Sequence, residues 1–285
     1  MNWFTTNDLL GRDGPFTLAV DYFIWYAVVA VLVCLGIYFL NKYKTEKRVK
    51  IVLIVLWAIA VALDVVKLIV NIATGLNIHS DLPLYVCSLF LYVMPFAIWG
   101  KGKVKMMALA YICTIGLFGA IGNYVVPSVV VSYSLLSFHG FHTSLYHTIL
   151  WATPLVILCT GSFKFKFKDF GWQFLGFVVI TVLVIPFNYI TDSNYMYFST
   201  GVFGFEEPFI EMVSYAWPIF LYIAYAAIMM VMELLAMGIT KLVEIIAQKV
   251  KKDSKETIQA TAGVSAEAKQ NESQKTQKKR LNKNE

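Results

Sequence analysis

The chain reads as an all-α, polytopic membrane bundle of about seven transmembrane helices, and three observations predict this class. Of its 285 residues, 58% are hydrophobic and only 15% are charged, whereas a soluble domain covers its surface with roughly a quarter of its residues charged. Apolar runs recur at the length, about 20 residues, needed to cross a hydrocarbon core about 30 Å thick. The segments joining those runs alternate between basic and non-basic. Lipid is therefore part of this protein's solvent.

Seven apolar runs stand out, at about 19–41, 51–74, 84–100, 106–126, 141–161, 171–190 and 212–236. The third is the shortest. The fourth carries Gly116, Gly119 and Gly122 at every third position, a spacing that lets a neighbouring helix approach closely.

Basic residues in short loops favour the cytoplasmic side of a membrane. Lys42–Lys50 holds five of them, and Lys101–Lys105 and Ser162–Phe170 hold three each. The intervening segments Asn77–Pro83, Pro127–Gly140 and Thr191–Glu211 contain no Lys or Arg, and the last carries Asp192, Glu206, Glu207 and Glu211. Every second connection obeys the rule, which predicts an N-terminus outside and a C-terminus in the cytosol. A predominance of Lys over Arg points to a bacterial plasma membrane.

The domain organisation follows. Residues 1–18 form an outer segment whose Asp8 and Asp13, with no basic cluster before an apolar core, predict no cleaved signal peptide. The bundle occupies 19–236. Residues 237–252 interleave apolar and basic side chains, as expected of an amphipathic helix lying on the inner membrane surface. From 253 the chain is predominantly polar, which predicts a disordered cytosolic tail.

From Lys249 onward there are ten Lys and Arg and no aromatic residue. That pattern suits attraction to anionic inner-leaflet lipid. It does not suit nucleic acid, whose binding would call for stacking residues and a fold. Cys34, Cys87, Cys113 and Cys159 all lie in apolar runs without motif spacing, so neither a disulfide framework nor a metal site is indicated. Zinc-protease, serine-elbow and nucleotide-binding motifs are missing, and no cofactor is implied.

Polar groups inside the runs are the informative ones, because an ionisable side chain in hydrocarbon is expensive. Asp64, Lys67 and Asn71 recur at helical spacing and are expected on one stripe facing the bundle. Asp64 lies about 20 Å from the cytosolic end of its run, in the outer half. All four histidines, His79, His139, His142 and His147, fall in outer loops or outer ends of runs. Ser80 or Asp81 suits a helix cap, with Pro83 in the first turn, which would put Cys87 about one turn inside the third span.

Cys87 and His147 then sit at similar depth on separate helices, an arrangement that serves as nucleophile and base if the two meet. The alternatives are that Cys87 is a small hydrophobe, that His147 donates to a nearby carbonyl, and that Asp64 and Lys67 merely pair. His142 and His147, five residues apart, lie about 140° apart around the helix and cannot face one point. Asn123, Asn188, Tyr189, Asn194 and Tyr195 add polar and aromatic groups to the outer third. The tyrosines there also fit an interfacial belt.

With those positions in view, residues from about 50 to 235 resemble the transmembrane protein 164 / YwaF family of integral membrane proteins. The likeness rests on Leu82-Pro83-Leu84-Tyr85-Val86-Cys87 opening a span, on His147 about sixty residues later, on Asn194-Tyr195-Met196-Tyr197 after the sixth span, and on Trp217-Pro218 opening the last. The family pattern has His two residues before the Cys, where this chain has Tyr85. The resemblance implies a seven-helix acyltransferase acting on membrane phospholipids, with Cys87 as nucleophile and His147 as base. Two other readings stand beside it: a transporter or lipid-binding protein using Asp64 and Lys67, and a scaffold whose basic tail binds a cytosolic partner.

Overall fold

The computed structural model describes the backbone over residues 20–74, 82–125, 135–198 and 216–281, and side chains within those limits for 22–74, 82–122, 135–198 and 216–250. The described chain is helical and contains no strand. It divides into two units, 1–238 and 239–285. Among the described residues are eight α-helices: α1 (Val20–Lys42), α2 (Glu46–Ala73), α3 (Phe90–Trp99), α4 (Gly102–Tyr111), α5 (Leu117–Val125), α6 (Phe138–Cys159), α7 (Phe170–Thr191) and α8 (Trp217–Leu281). A π-helical turn, Ile112–Gly116, joins α4 to α5 into one span. The second unit is the continuation of α8, and the side chains of the tail expected to be disordered lie outside the described residues.

Among the described residues five stretches are long and apolar enough to cross a membrane: Tyr22–Lys42, Glu46–Ala73, Gly102–Gly122, Phe167–Thr191 and Trp217–Val250. The protein is thus a multi-pass membrane protein. The other two helices of the bundle depart from that standard for physical reasons. Helix α6 has 22 residues, about 33 Å of rise and enough to cross. It packs against α1, α2, α5 and the π turn, and fifteen of its residues are buried. Its neighbours are protein rather than lipid, so its histidines, threonines and serines need not be apolar.

Helix α3 is shorter than expected. A span over 84–100 with Cys87 about one turn inside it is the reading from sequence; the helix begins only at Phe90. Residues 82–89 instead form tight turns, with Ser88 N–H donating to the Tyr85 carbonyl at 2.9 Å and Leu91 N–H to that of Ser88 at 3.1 Å. Ten helical residues rise only about 15 Å, and the turns supply the remaining depth. Irregular backbone at membrane depth persists only where protein satisfies its polar groups. Here it does. Tyr111 donates its hydroxyl to the Val86 carbonyl at 2.5 Å and the Leu82 N–H donates to the Tyr195 hydroxyl at 2.9 Å, while inside α3 the Trp57 indole donates to the Leu91 carbonyl at 2.9 Å.

The basic connections gather at one end. Thr45 caps α2 by accepting from the Arg48 N–H at 3.2 Å. Beside it, the amide of Asn41 donates to the Cys159 carbonyl at 3.2 Å, and the Lys44 ammonium to the carbonyl of Thr160. A cation suits that position, where the last carbonyls of α6 carry the negative end of the helix dipole. Lys103 lies 3.4 Å over the Trp172 ring, a cation–π contact. These contacts join the Lys42–Lys50 connection to the end of α6, and the Lys101–Lys105 connection to the start of α7.

Candidate functional site

The site is built at the opposite end, around the broken entry to α3. Helix α5 approaches it through Gly119. A Cβ placed there would stand 3.2 Å from a Val86 methyl and 3.6 Å from the Cys87 nitrogen, so a side chain at 119 would require that methyl to give by a few tenths of an ångström. Of the three glycines, Gly119 alone opens this approach; a Cβ at Gly116 would meet its own helix, and one at Gly122 would meet nothing.

A second wall comes from the turn after α7. The Asn188 amide clamps it in both directions, donating to the Tyr195 carbonyl at 2.7 Å and accepting from the Tyr195 N–H at 2.9 Å. Within that turn Met196 and Tyr197 hold φ of 59° and 62°, left-handed values that cost a residue bearing a Cβ about 1–2 kcal/mol each. Such strain persists only where surroundings over-determine it, and it collects at functional sites. The surroundings here are the Asn188 clamp, the Tyr225 hydroxyl on the Met196 carbonyl at 3.2 Å, and the Trp217 indole on the Tyr197 carbonyl at 3.0 Å. Tyr85 packs edge-on against Tyr195 with ring centroids 4.8 Å apart and lies 6.3 Å from the ring of Tyr197. Three of the segments that carried the family resemblance (82–87, 194–197 and Trp217) are therefore bonded or packed to one another.

Helix α6 brings the fourth. Tyr146 and His147 are buried neighbours on it. The His147 Nδ1 lies 2.8 Å from the Thr143 carbonyl one turn earlier. A carbonyl only accepts, so Nδ1 carries the hydrogen and Nε2 is left as the basic nitrogen. Tyr146 stacks on His142 at 5.8 Å and meets His147 edge-on at 5.9 Å. Its hydroxyl approaches Ser88 without completing a hydrogen bond, and it is buried with no partner.

Electrostatic interactions tie these groups together. Cys87 is within reach of Lys67, Tyr111, Tyr146, Tyr197 and Tyr225. Lys67 reaches Asp64, His142 and His147 as well. On α2, Asn71 is buried and Asp64 and Lys67 are half-buried, while Val65, Val66, Ile69 and Ile72 are exposed. The polar stripe thus faces the bundle and the apolar one faces outward. His142 and His147 are both covered although they diverge around α6, because that helix has neighbours on several sides.

Other positions fall elsewhere. Tyr189 is 92% exposed and points away from the bundle, about 100° around α7 from buried Asn188. Asn188 itself spends both amide atoms on the Tyr195 backbone, a positioning task rather than a contact with a reacting group. Asn194 is half-buried and opens the strained turn. His79 and the side chain of Asn123 lie outside the described residues. Among the described residues no group of three or more His, Cys, Asp and Glu side chains is placed to hold a metal.

Sequence reasoning passed over Tyr111, Tyr146 and Ser88. A Tyr directly before the candidate base was a usable signal; Tyr111 gave none, since its partner is a backbone carbonyl 25 residues away.

A family model described as the TMEM164 family matches residues 16–235. No curated protein and no solved structure matches the chain.

Proposed function

This chain belongs to the TMEM164 family, and we propose that it is a membrane lipid acyltransferase in which Cys87 is the nucleophile and His147 the base. The observation that carries the reading is the buried hydroxyl of Tyr146, without a hydrogen-bond partner, on the residue next to His147 and in electrostatic reach of Cys87. A hydroxyl left without a partner in an apolar interior costs stability. It is useful there as a donor held ready for charge that develops only during reaction.

In this mechanism the Cys87 thiol gives its proton to His147 Nε2, and the sulfur attacks the carbonyl carbon of a phospholipid ester. The carbonyl oxygen takes up negative charge and accepts a hydrogen bond from Tyr146. As the tetrahedral adduct collapses, the C–O bond breaks and the departing lysolipid oxygen takes the proton back from His147. A thioester on Cys87 remains. A second lysolipid hydroxyl then loses its proton to His147, attacks the thioester and regenerates the thiol. Acyl groups and protons balance over the cycle, and no cofactor is consumed.

Lys67 is in electrostatic reach of Cys87, His142 and His147. The Asp64/Lys67 pair then belongs to this site rather than to a separate transport pathway. Basic-loop topology further supports a site opening toward the outer leaflet, and the Lys-rich composition supports a bacterial plasma membrane. Purified protein in vesicles with acyl-labelled phospholipid and an unlabelled lysolipid tests the reading. Transfer of label is expected from wild type and is expected to vanish in Cys87→Ala and in His147→Ala. Undiminished transfer in Cys87→Ala overturns it.

A further inference from the structure

Beside the broken entry to α3 a groove runs along α7. Leu84, Leu89 and Tyr92 form one wall and Ile180, Val184 and Phe187 the other, around a cavity of about 340 Å³. Val179 and Leu183 also line it and are exposed, so the groove opens sideways to the membrane. Its lining side chains are hydrocarbon apart from the Tyr92 hydroxyl, and none is charged. A lipid headgroup would find no partner there.

Position and direction single out the occupant. Leu89 follows Cys87 by two residues, which holds their Cα atoms within about 7 Å of each other. Phe187 closes the near end, with its ring 6.0 Å from that of Tyr195, which packs on Tyr85. From Phe187 to Val179 the groove descends about 12 Å along α7. Val179 stands about 14 Å of rise from Phe170, close to the middle of this 22-residue helix. The groove therefore starts beside Cys87 and ends halfway down the span. One acyl chain of a lipid in the leaflet on the Cys87 side follows the same course.

We propose that this groove is an acyl-chain site, which holds one chain of a phospholipid with its ester carbonyl toward Cys87. At this depth the solvent is itself hydrocarbon, so expulsion from water draws nothing in. Contact does, because an empty groove forfeits the dispersion attraction of its lining. An extended chain advances about 1.3 Å per carbon, so the groove takes about nine carbons. That the chain belongs to a substrate rests on the acyltransferase reading; that a chain lies there does not.

The full-length protein in phosphatidylcholine nanodiscs, with a small share of phosphatidylcholine bearing a mid-chain diazirine, tests the site without turnover. Ile219 and Ile223 of α8 are exposed at the same depth, since Thr181 meets Tyr222. Photolabelling of Val179, Leu183 and Phe187 is expected to exceed theirs by about tenfold. Equal labelling means ordinary surrounding lipid and overturns the proposal. Weaker labelling means that protein covers the groove and overturns it too. Leu183→Trp fills the groove and is expected to abolish the excess, whereas Val182→Trp, exposed but outside the lining, is expected to keep it. An excess that survives in Leu183→Trp overturns the site. In the transfer assay Leu183→Trp is expected to lose about tenfold in kcat/KM for long-chain donors and to keep donors shorter than about five carbons. An equal loss for both overturns the groove's part in transfer. Excess labelling in a wild type that transfers nothing supports the chain site and removes only the acyltransferase reading.

Discussion

The Tyr111 hydroxyl donates to the Val86 carbonyl at 2.5 Å, one residue before Cys87. Tyr111 is fully buried and is the last residue before the π turn of its span. Single-turn π bulges recur at functional sites. Here the bulge lies directly between Tyr111 and α5, which carries Gly119 against Cys87.

Tyr111→Phe leaves a buried carbonyl without its donor at a point where no helix supplies another. A loss of about 1–3 kcal/mol is expected, read as a lower thermal midpoint in nanodiscs. Cys87 should also lose position, so acyl transfer should fall by more than the loss of folded protein explains. Transfer falling only in proportion to folded protein would remove Tyr111 from the support of Cys87.

Tyr146→Phe should behave in the opposite way. Its hydroxyl has no partner to lose, so the midpoint is expected to stay or rise slightly. Removing a donor aimed at a developing oxyanion costs about 100- to 1000-fold in kcat. A variant as stable as wild type and equally active would exclude this hydroxyl from the reaction.

The strained turn gives a pair of opposite effects. Asn188→Ala removes two hydrogen bonds to the Tyr195 backbone and is expected to cost about 2 kcal/mol or more, with reduced transfer. Asp192 caps α7 at φ 52° and is exposed. Asp192→Gly relieves its Cβ and should stabilise by up to about 1 kcal/mol without changing transfer. Denaturation monitored by tryptophan fluorescence, with kcat in parallel, checks both.

Orientation is testable with single cysteines in a background where the native four are Ala. Lys47→Cys and Lys166→Cys, both exposed in basic connections, should be labelled by a membrane-impermeant maleimide only after the cytosolic face is opened. Asp192→Cys should be labelled in intact cells. The reverse pattern would invert the topology.

Much of the fold was legible because hydropathy and loop charge are local properties: each run exchanges water for lipid independently of what it packs against. The stripe of Asp64, Lys67 and Asn71 was legible too, since helical period and the cost of exposing charge to hydrocarbon fix its facing. Cys87 about one turn inside a helix was not correct, since the helix starts at Phe90. Proline and a capping residue announce a helix start, but Tyr111 and Tyr195, distant in sequence, satisfy the backbone of 82–89 and so allow the helix to begin later.

By itself the sequence determined a helical membrane protein with its family, its spans and the two ends of the bundle, because these follow from transferring segments into lipid. Tertiary structure alone decided that Asn188 supports a turn while Tyr189 faces outward, and that Tyr146 stands unpartnered near Cys87. Those outcomes depend on which faces of separate helices meet. That is settled by side-chain packing between residues distant along the chain, which no local period records.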